Sequence, residues 1–212
     1  MQPTNSKILS RIYGRGRGWA FSPNDFIGEF DRKQIDNALS DLTAEGRIRR
    51  VYRGMYDYPK YSDLLGQELS PDFDQVAQAF ARKFNWRIQP GGDAALNLLG
   101  ISTQVPGKYI YLSDGPNRTY AIVNYKLEFK NTALKEIGFK HRESGIIVQA
   151  LKALGKERVS SDVLGKIRKE LAADICPKIL KDTKTVTGWV YDCIKEICRE
   201  GLNGQGRSTL NR

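Results

Sequence analysis

The chain has 212 residues, of which 34 are Lys or Arg and 24 are Asp or Glu, giving a formal net charge of +10, and 40% are hydrophobic. That is a globular composition, long enough for one domain or two small ones. No run approaches the ~18–20 consecutive apolar residues that span a bilayer, and Met1–Ser10 has no apolar core of the signal-peptide kind, so a cytoplasmic protein is expected.

Three cysteines, none in a CxxC pair, and a single histidine argue against a disulfide framework, a Cys/His zinc site and any chemistry that needs two histidines. The positive surplus points to an anionic partner, of which nucleic acid is the commonest.

In chain order, Ile8, Leu9 and Ile12 share one face of a first short helix that Asn5 or Ser6 can cap. The glycines of Gly14-Arg15-Gly16-Arg17-Gly18 are expected to end it. Trp19, Ala20 and Phe21 suit a short strand. Ser22-Pro23-Asn24-Asp25 reads as an N-cap with proline at the first helical position of a brief second helix.

Asp31 caps a stronger helix, residues 32–44, with Ile35, Ala38, Leu39 and Leu42 on its buried face and Gly46 as its stop. Lys33, Asn37 and Ser40 lie opposite. Ile48–Tyr52, Arg53-Gly54 and Met55–Tyr58 make a β-hairpin ended by Pro59.

Helix, strand, helix, helix, hairpin is the order of a winged helix-turn-helix. In that motif the second of the paired helices enters the major groove and the hairpin, or wing, lies on the backbone or minor groove. Here Arg32, Lys33, Gln34 and Asn37 are suited to base edges. Arg47, Arg49, Arg50 and Arg53 on the wing, with Arg15 and Arg17 on the glycine-rich loop, are suited to phosphates. A charge run alone also arises as a solvated face, and some winged helices serve only protein contacts. Seven arginines on loop and wing (Arg11, Arg15, Arg17 and the four wing residues) favour DNA.

These residues also resemble a known family. The runs Ser22-Pro23-Asn24-Asp25-Phe26, Ala38-Leu39-Ser40-Asp41-Leu42 and Gly46–Tyr56 look like the N-terminal domain of AbiEi-type antitoxins, the antitoxin half of type IV toxin–antitoxin and abortive-infection systems. Gln89-Pro90-Gly91-Gly92-Asp93-Ala94-Ala95-Leu96-Asn97-Leu98-Leu99-Gly100, with Tyr109–Ser113 and Arg118-Thr119-Tyr120, is similar to the region that follows; the likeness covers roughly 4–155. The winged-helix part is shared by many regulators, and the central segment makes the match more specific. The resemblance implies a bacterial repressor of its own operon that counters a nucleotidyltransferase-like toxin. The partners implied are double-stranded operator DNA, expected as inverted repeats, and that toxin.

Further on, Pro59–Pro71 reads as a linker with at most one helical turn. Asp74–Phe84 is a helix, Trp86–Gln89 a strand, Pro90-Gly91-Gly92 a turn, and Asp93 caps a small helix over 94–99. Lys108–Leu112, Thr119–Val123 and Tyr125–Asn131 alternate as strands of a small sheet, with turn chemistry at Asp114–Asn117. From Ser144 the pattern is helical: a first helix through Leu154, a second capped by Ser160 or Ser161, a third opened by Pro177, and Val186–Cys198. Cys193 reads as core and Cys176 as half-buried. The fold class expected is α+β: a winged helix-turn-helix over 1–60, a mixed domain with a small sheet and C-terminal helices over 72–200, and a flexible tail over 201–212.

No catalytic residue, metal site or cofactor is expected. Gly14–Gly18 lacks the spacing of a phosphate-cradling loop, and His141, between Lys140 and Arg142, reads as solvated. The alternative is a metal-dependent nuclease centred on Asp114, Glu128 and Lys130, since alternation puts Glu128 and Lys130 on one side of a strand. A protein-interaction module that does not bind DNA is the third reading.

Overall fold

The structure is a computed structural model and describes residues 3–104, 106–172 and 174–203. The fold is α+β. Helix α1 spans Pro3–Arg15. It begins earlier than the sequence suggests and runs through Gly14, so Arg15 ends a helix instead of sitting on a loop. Asn5 does not cap it: this side chain is buried and donates to Asp41 Oδ2 at 3.0 Å.

Strand β1 (Ala20–Phe21) and a 3₁₀ turn (Pro23–Phe26) follow. The Asp25 carboxylate fixes the turn by accepting from the Ser22 backbone N–H at 2.8 Å and from its hydroxyl at 3.2 Å. Helix α2 is Arg32–Ala44, and Ile35, Ala38, Leu39 and Leu42 are all fully buried, as their spacing requires. Gly46, at φ +67°, takes the left-handed position after the helix while the Arg47 N–H reaches back to Leu42 O at 2.9 Å. Strands β2 (Arg49–Tyr52) and β3 (Met55–Asp57) form the hairpin, and β3 pairs antiparallel with both neighbours in the order β1-β3-β2.

Pro59–Pro71 is more ordered than a linker. It carries a second small hairpin, β4 (Tyr61–Ser62) with β5 (Gln67–Glu68), turned at Gly66 with φ +61°. Helix α3 (Phe73–Phe84) is capped by Asp72, whose carboxylate accepts from the Asp74 and Gln75 N–H groups at 3.1 and 3.2 Å. Then come β6 (Ile88–Pro90), α4 (Gly92–Leu98), β7 (Lys108–Ser113), β8 (Arg118–Ile122) and β9 (Tyr125–Asn131), with sheet order β6-β7-β9-β8. Gly91, not Asp93, is the cap of α4. Helices α5 (Leu134–Ile137), α6 (Arg142–Leu154), α7 (Ser161–Lys169), α8 (Cys176–Asp182) and α9 (Gly188–Asn203) complete the chain. Helix α9 covers the first three residues of the expected tail; 204–212 lie outside the described residues.

The chain divides into two compact units, residues 1–88 with 119–127, and 89–118 with 128–212. Helix α3 therefore belongs with the first unit, where the sequence placed it in a second domain from residue 72. In the first unit Ile8, Leu9 and Ile12 of α1 meet Ile35, Leu39 and Leu42 of α2 around Phe21 and Phe26. Arg82 ties α3 to the same body, donating to Asp25 Oδ1 at 2.6 Å and Ala20 O at 2.7 Å. In the second unit Ile147, Leu151, Ile167, Ile179, Val190 and Ile194 form the centre of an all-helical core. No helix among the described residues is long and apolar enough to cross a membrane.

Candidate nucleic-acid interface

Because α2 buries Ile35, Ala38, Leu39 and Leu42, its geometry turns Lys33, Asn37 and Ser40 outward, and all three are exposed. Lys33 has no ion-pair partner among the described residues. Two other residues expected to face bases are already engaged. Gln34 accepts the Asp31 N–H at 3.3 Å in a capping box, which leaves its amide N–H₂ free of that bond. Arg32 Nε donates to both oxygens of Asp36 at 2.9 and 3.0 Å, and one of its terminal nitrogens makes a long contact to Asn24 Oδ1.

The hairpin arginines separate by position: Arg49 and Arg50 leave opposite faces of β2, and Arg47 and Arg53 lie just outside it. Arg50 and Arg53 are exposed, as is Arg47 in the turn before β2, and none has an ion-pair partner among the described residues. Arg49 points to the other side. Its guanidinium binds Asp57 through Nε at 3.0 Å and through a terminal nitrogen at 2.7 Å, and it also donates to Leu69 O at 2.9 Å. Asp57 is 1% exposed. Burial raises its pKa above the ordinary carboxylate value, with Arg49 pulling it part of the way back. Arg49 therefore serves the fold, and its assignment to a phosphate is withdrawn.

Of the three remaining arginines, Arg11 pairs with Glu29, and Arg15 is exposed with its guanidinium carbon 5.7 Å from the Trp19 ring centre. Arg17 stacks over Tyr58 at 4.7 Å and donates to Pro59 O at 2.8 Å, so it is anchored but still outward.

Sequence reasoning missed Lys83, the penultimate residue of α3. Its Nζ lies 3.4 Å from where a Cβ at Gly54, the glycine at the tip of the β2–β3 hairpin, would stand. The Lys83 carbonyl accepts from Asn24 Nδ2 at 3.3 Å, and Asn24 Oδ1 takes a long contact of 3.5 Å from Arg32. Lys83 therefore marks the place where the start of α2 and the tip of the β2–β3 hairpin converge. Half burial, and then the charge of Arg32, hold its pKa below the ordinary lysine value. The available signal was the Arg82-Lys83 pair, which at a helix C-terminus is explained by the macrodipole alone.

The second unit gives little support to the metal-nuclease alternative. Glu128 sits 3.9 Å from Lys108, and Asn131 Nδ2 lies 3.4 Å from the Asp114 carbonyl. Among the described residues no three His, Cys, Asp or Glu side chains stand close enough to hold a metal. A cavity of about 390 Å³ is lined by Glu136, Phe139, Lys152, Asp182 and Thr187. Its charged groups are satisfied: Lys152 bonds Glu136 at 2.6 Å, and Asp182 accepts the Lys140 and His141 N–H groups at 3.0 and 2.9 Å. Burial opposes the Asp182 charge, but those two bonds and the nearby His141 hold its pKa below normal.

The cysteines reverse their expected exposure. Cys176 is buried and Cys193 only half-buried. Burial and the neighbouring Cys176 push the Cys198 thiol up to about 12, and burial raises Cys193 too, so neither is a thiolate at neutral pH.

A family model described as "Family of unknown function (DUF6088)" matches residues 7–199. No curated protein matches. Among solved structures, the "Crystal structure of RV2827C protein from Mycobacterium tuberculosis" is similar at 12% identity and a TM-score of 0.42, covering 95% of this chain and 78% of that one.

Proposed function

The chain belongs to this family of unknown function (DUF6088), and from the geometry of its first unit we propose that it is a DNA-binding regulator of the winged helix-turn-helix kind. It represses its own operon and, by the resemblance of its N-terminal and central segments to AbiEi-type antitoxins, counters a nucleotidyltransferase-like toxin. The observation that carries the DNA reading is the convergence at Lys83. The exposed polar face of α2, with Lys33, Gln34 and Asn37, begins beside the tip of a hairpin that displays Arg50 and Arg53. A helix end in the major groove and a cationic wing on the adjoining backbone need that adjacency. Direct base contacts fall to Lys33, Asn37 and the Gln34 amide, with Arg32 beside them. Arg15, Arg17, Arg47, Arg50 and Arg53 contact phosphates.

The test is binding to the DNA upstream of the chain's own gene across a salt series. Arg50→Ala with Arg53→Ala should flatten the log–log salt dependence by roughly 0.9 per lost phosphate contact, and Asn37→Ala should cost sequence preference at an unchanged slope. Wild-type slope and affinity in the double variant sink the wing assignment. The antitoxin part is tested by co-expression: a neighbouring nucleotidyltransferase-like gene should be tolerated only when this chain is present, and no rescue counts against it.

A further inference from the structure

We propose that Lys83, with Arg32 and the amide of Asn24, forms a DNA-phosphate site at the wing tip, which makes α3 part of the binding surface. The inference rests on the DNA-binding reading and adds a contact and an element that neither the wing nor α2 supplies. Three observations converge on it.

First, the Lys83 ammonium is held in place. Helix α3 is locked to the unit by Arg82, the Lys83 backbone is tied to Asn24 at 3.3 Å, and Nζ stands 5.4 Å from the centre of the Phe84 ring. Second, its surroundings carry the wrong sign for a structural lysine. No carboxylate pairs with it among the described residues, its charged neighbour is Arg32, and the next residue along the wing from Gly54 is the exposed Arg53. A half-buried ammonium among cations costs free energy until an anion arrives. Third, the ammonium stands at the hairpin tip: Gly54, at φ +67°, has no side chain, and a Cβ there would lie 3.4 Å from Nζ, in ordinary van der Waals contact.

A point-charge amine suits a phosphate oxygen, and Arg32, whose Nε is taken by Asp36 and one terminal nitrogen by the long contact to Asn24, has its other terminal nitrogen to share the same phosphate. An acidic protein segment is the competing occupant. The rigid placement of the amine where the helix start meets the wing, on the line a DNA backbone must follow between groove and wing, favours phosphate.

The experiment uses the full chain and a short duplex of mixed sequence, with binding followed by fluorescence anisotropy over a salt series. Lys83→Ala should bind several-fold more weakly at low salt and lose about 0.9 from the slope, and Lys83→Arg should restore both. Because Lys83 is half-buried, Lys83→Gln is measured alongside, with melting temperatures, so that loss of charge is read apart from loss of fold. A wild-type slope in folded Lys83→Gln, while Arg50→Ala loses its share, overturns this site and leaves the DNA reading standing. Absence of duplex binding by the wild type overturns the DNA reading itself and this site with it. Binding of polyglutamate that depends on Lys83, where duplex binding does not, reassigns the site to an acidic protein and overturns the proposal.

Discussion

Arg49 and Arg50 are neighbours in the sequence and are used in opposite ways. Composition treats them alike, and a charge count cannot separate them. The strand does, because successive side chains leave opposite faces: Arg50 goes to solvent while Arg49 meets Asp57 and Leu69. The sequence held half of the clue, since Asp57 sits across the hairpin, but its burial depends on register. Lys83 was illegible for a different reason: its value comes from Gly54 and Asn24, far away in the chain. Lys33 and Asn37 were legible because helix period alone decides which way they point, whereas Arg47 and Arg53, of the same parity as Arg49, are outward because they lie outside β2.

The Arg49–Asp57 pair makes a residue-scale prediction. Removing one partner strands a buried carboxylate, which costs about 3–5 kcal/mol when burial is complete; Arg49 retains 27% side-chain exposure, so about 2–3 kcal/mol is expected for Arg49→Ala. The pH dependence follows from the direction of the Asp57 shift. Its folded-state pKa is raised, so the folded protein takes up a proton at higher pH than the unfolded chain does, and this group's penalty is relieved as pH falls toward the ordinary carboxylate range. Without Arg49 the rise is larger. Urea unfolding should therefore show the deficit of the variant shrinking on acidification, and a deficit independent of pH counts against Asp57 as its cause.

At the scale of elements, strongly periodic segments were legible and contextual ones were not. Helix α2 has the expected bounds because four apolar residues at helical spacing, a capping box and a left-handed glycine agree with one another. The β4–β5 hairpin has two-residue strands and exposed Leu64 and Leu65 at its tip, so hydrophobic alternation had nothing to report. Helix α5 is a single turn.

The Gln89-Pro90-Gly91-Gly92 segment carries part of the family resemblance, and packing gives its glycines a physical reason. A Cβ on Gly91 would stand 2.9 Å from Ile110 O, and one on Gly92 would run into the Cβ of Ala153 on α6. Gly91 lets the segment pass close to β7, and Gly92 lets α4 approach α6 closely. Gly92→Ala should therefore destabilise the protein by about 1–3 kcal/mol as an overpacked contact, and Ala153→Gly added to it should recover part of that loss, even though glycine in a helix costs about 1 kcal/mol by itself. Purely additive losses in the double variant rule out this crossing as the cause.

For the molecule as a whole, the break between units does not fall after the β2–β3 hairpin. Expecting a free-standing domain over 1–60 followed the order of elements, and order says nothing about what covers the far side of β1 and β3. Helix α3 covers it, burying Val76, Ala77 and Phe80, and residues 119–127 return to the same unit to stack Tyr120 on Phe80 at 4.1 Å and 24°. A fragment ending at residue 60 thus leaves Phe21's layer without α3 and strands Asp25, whose side chain is 10% exposed, without Arg82. Each large apolar side chain uncovered forfeits about 1.5–3 kcal/mol, so losing the cover of α3 together with one ion pair takes a large share of the stability of a small domain. Fragment 1–60 should show no cooperative melting by near-ultraviolet circular dichroism, while residues 1–88 joined by a short linker to 119–127 should regain it. Cooperative melting of 1–60 near the transition of the full chain would place the boundary at the wing after all and make α3 dispensable to the unit.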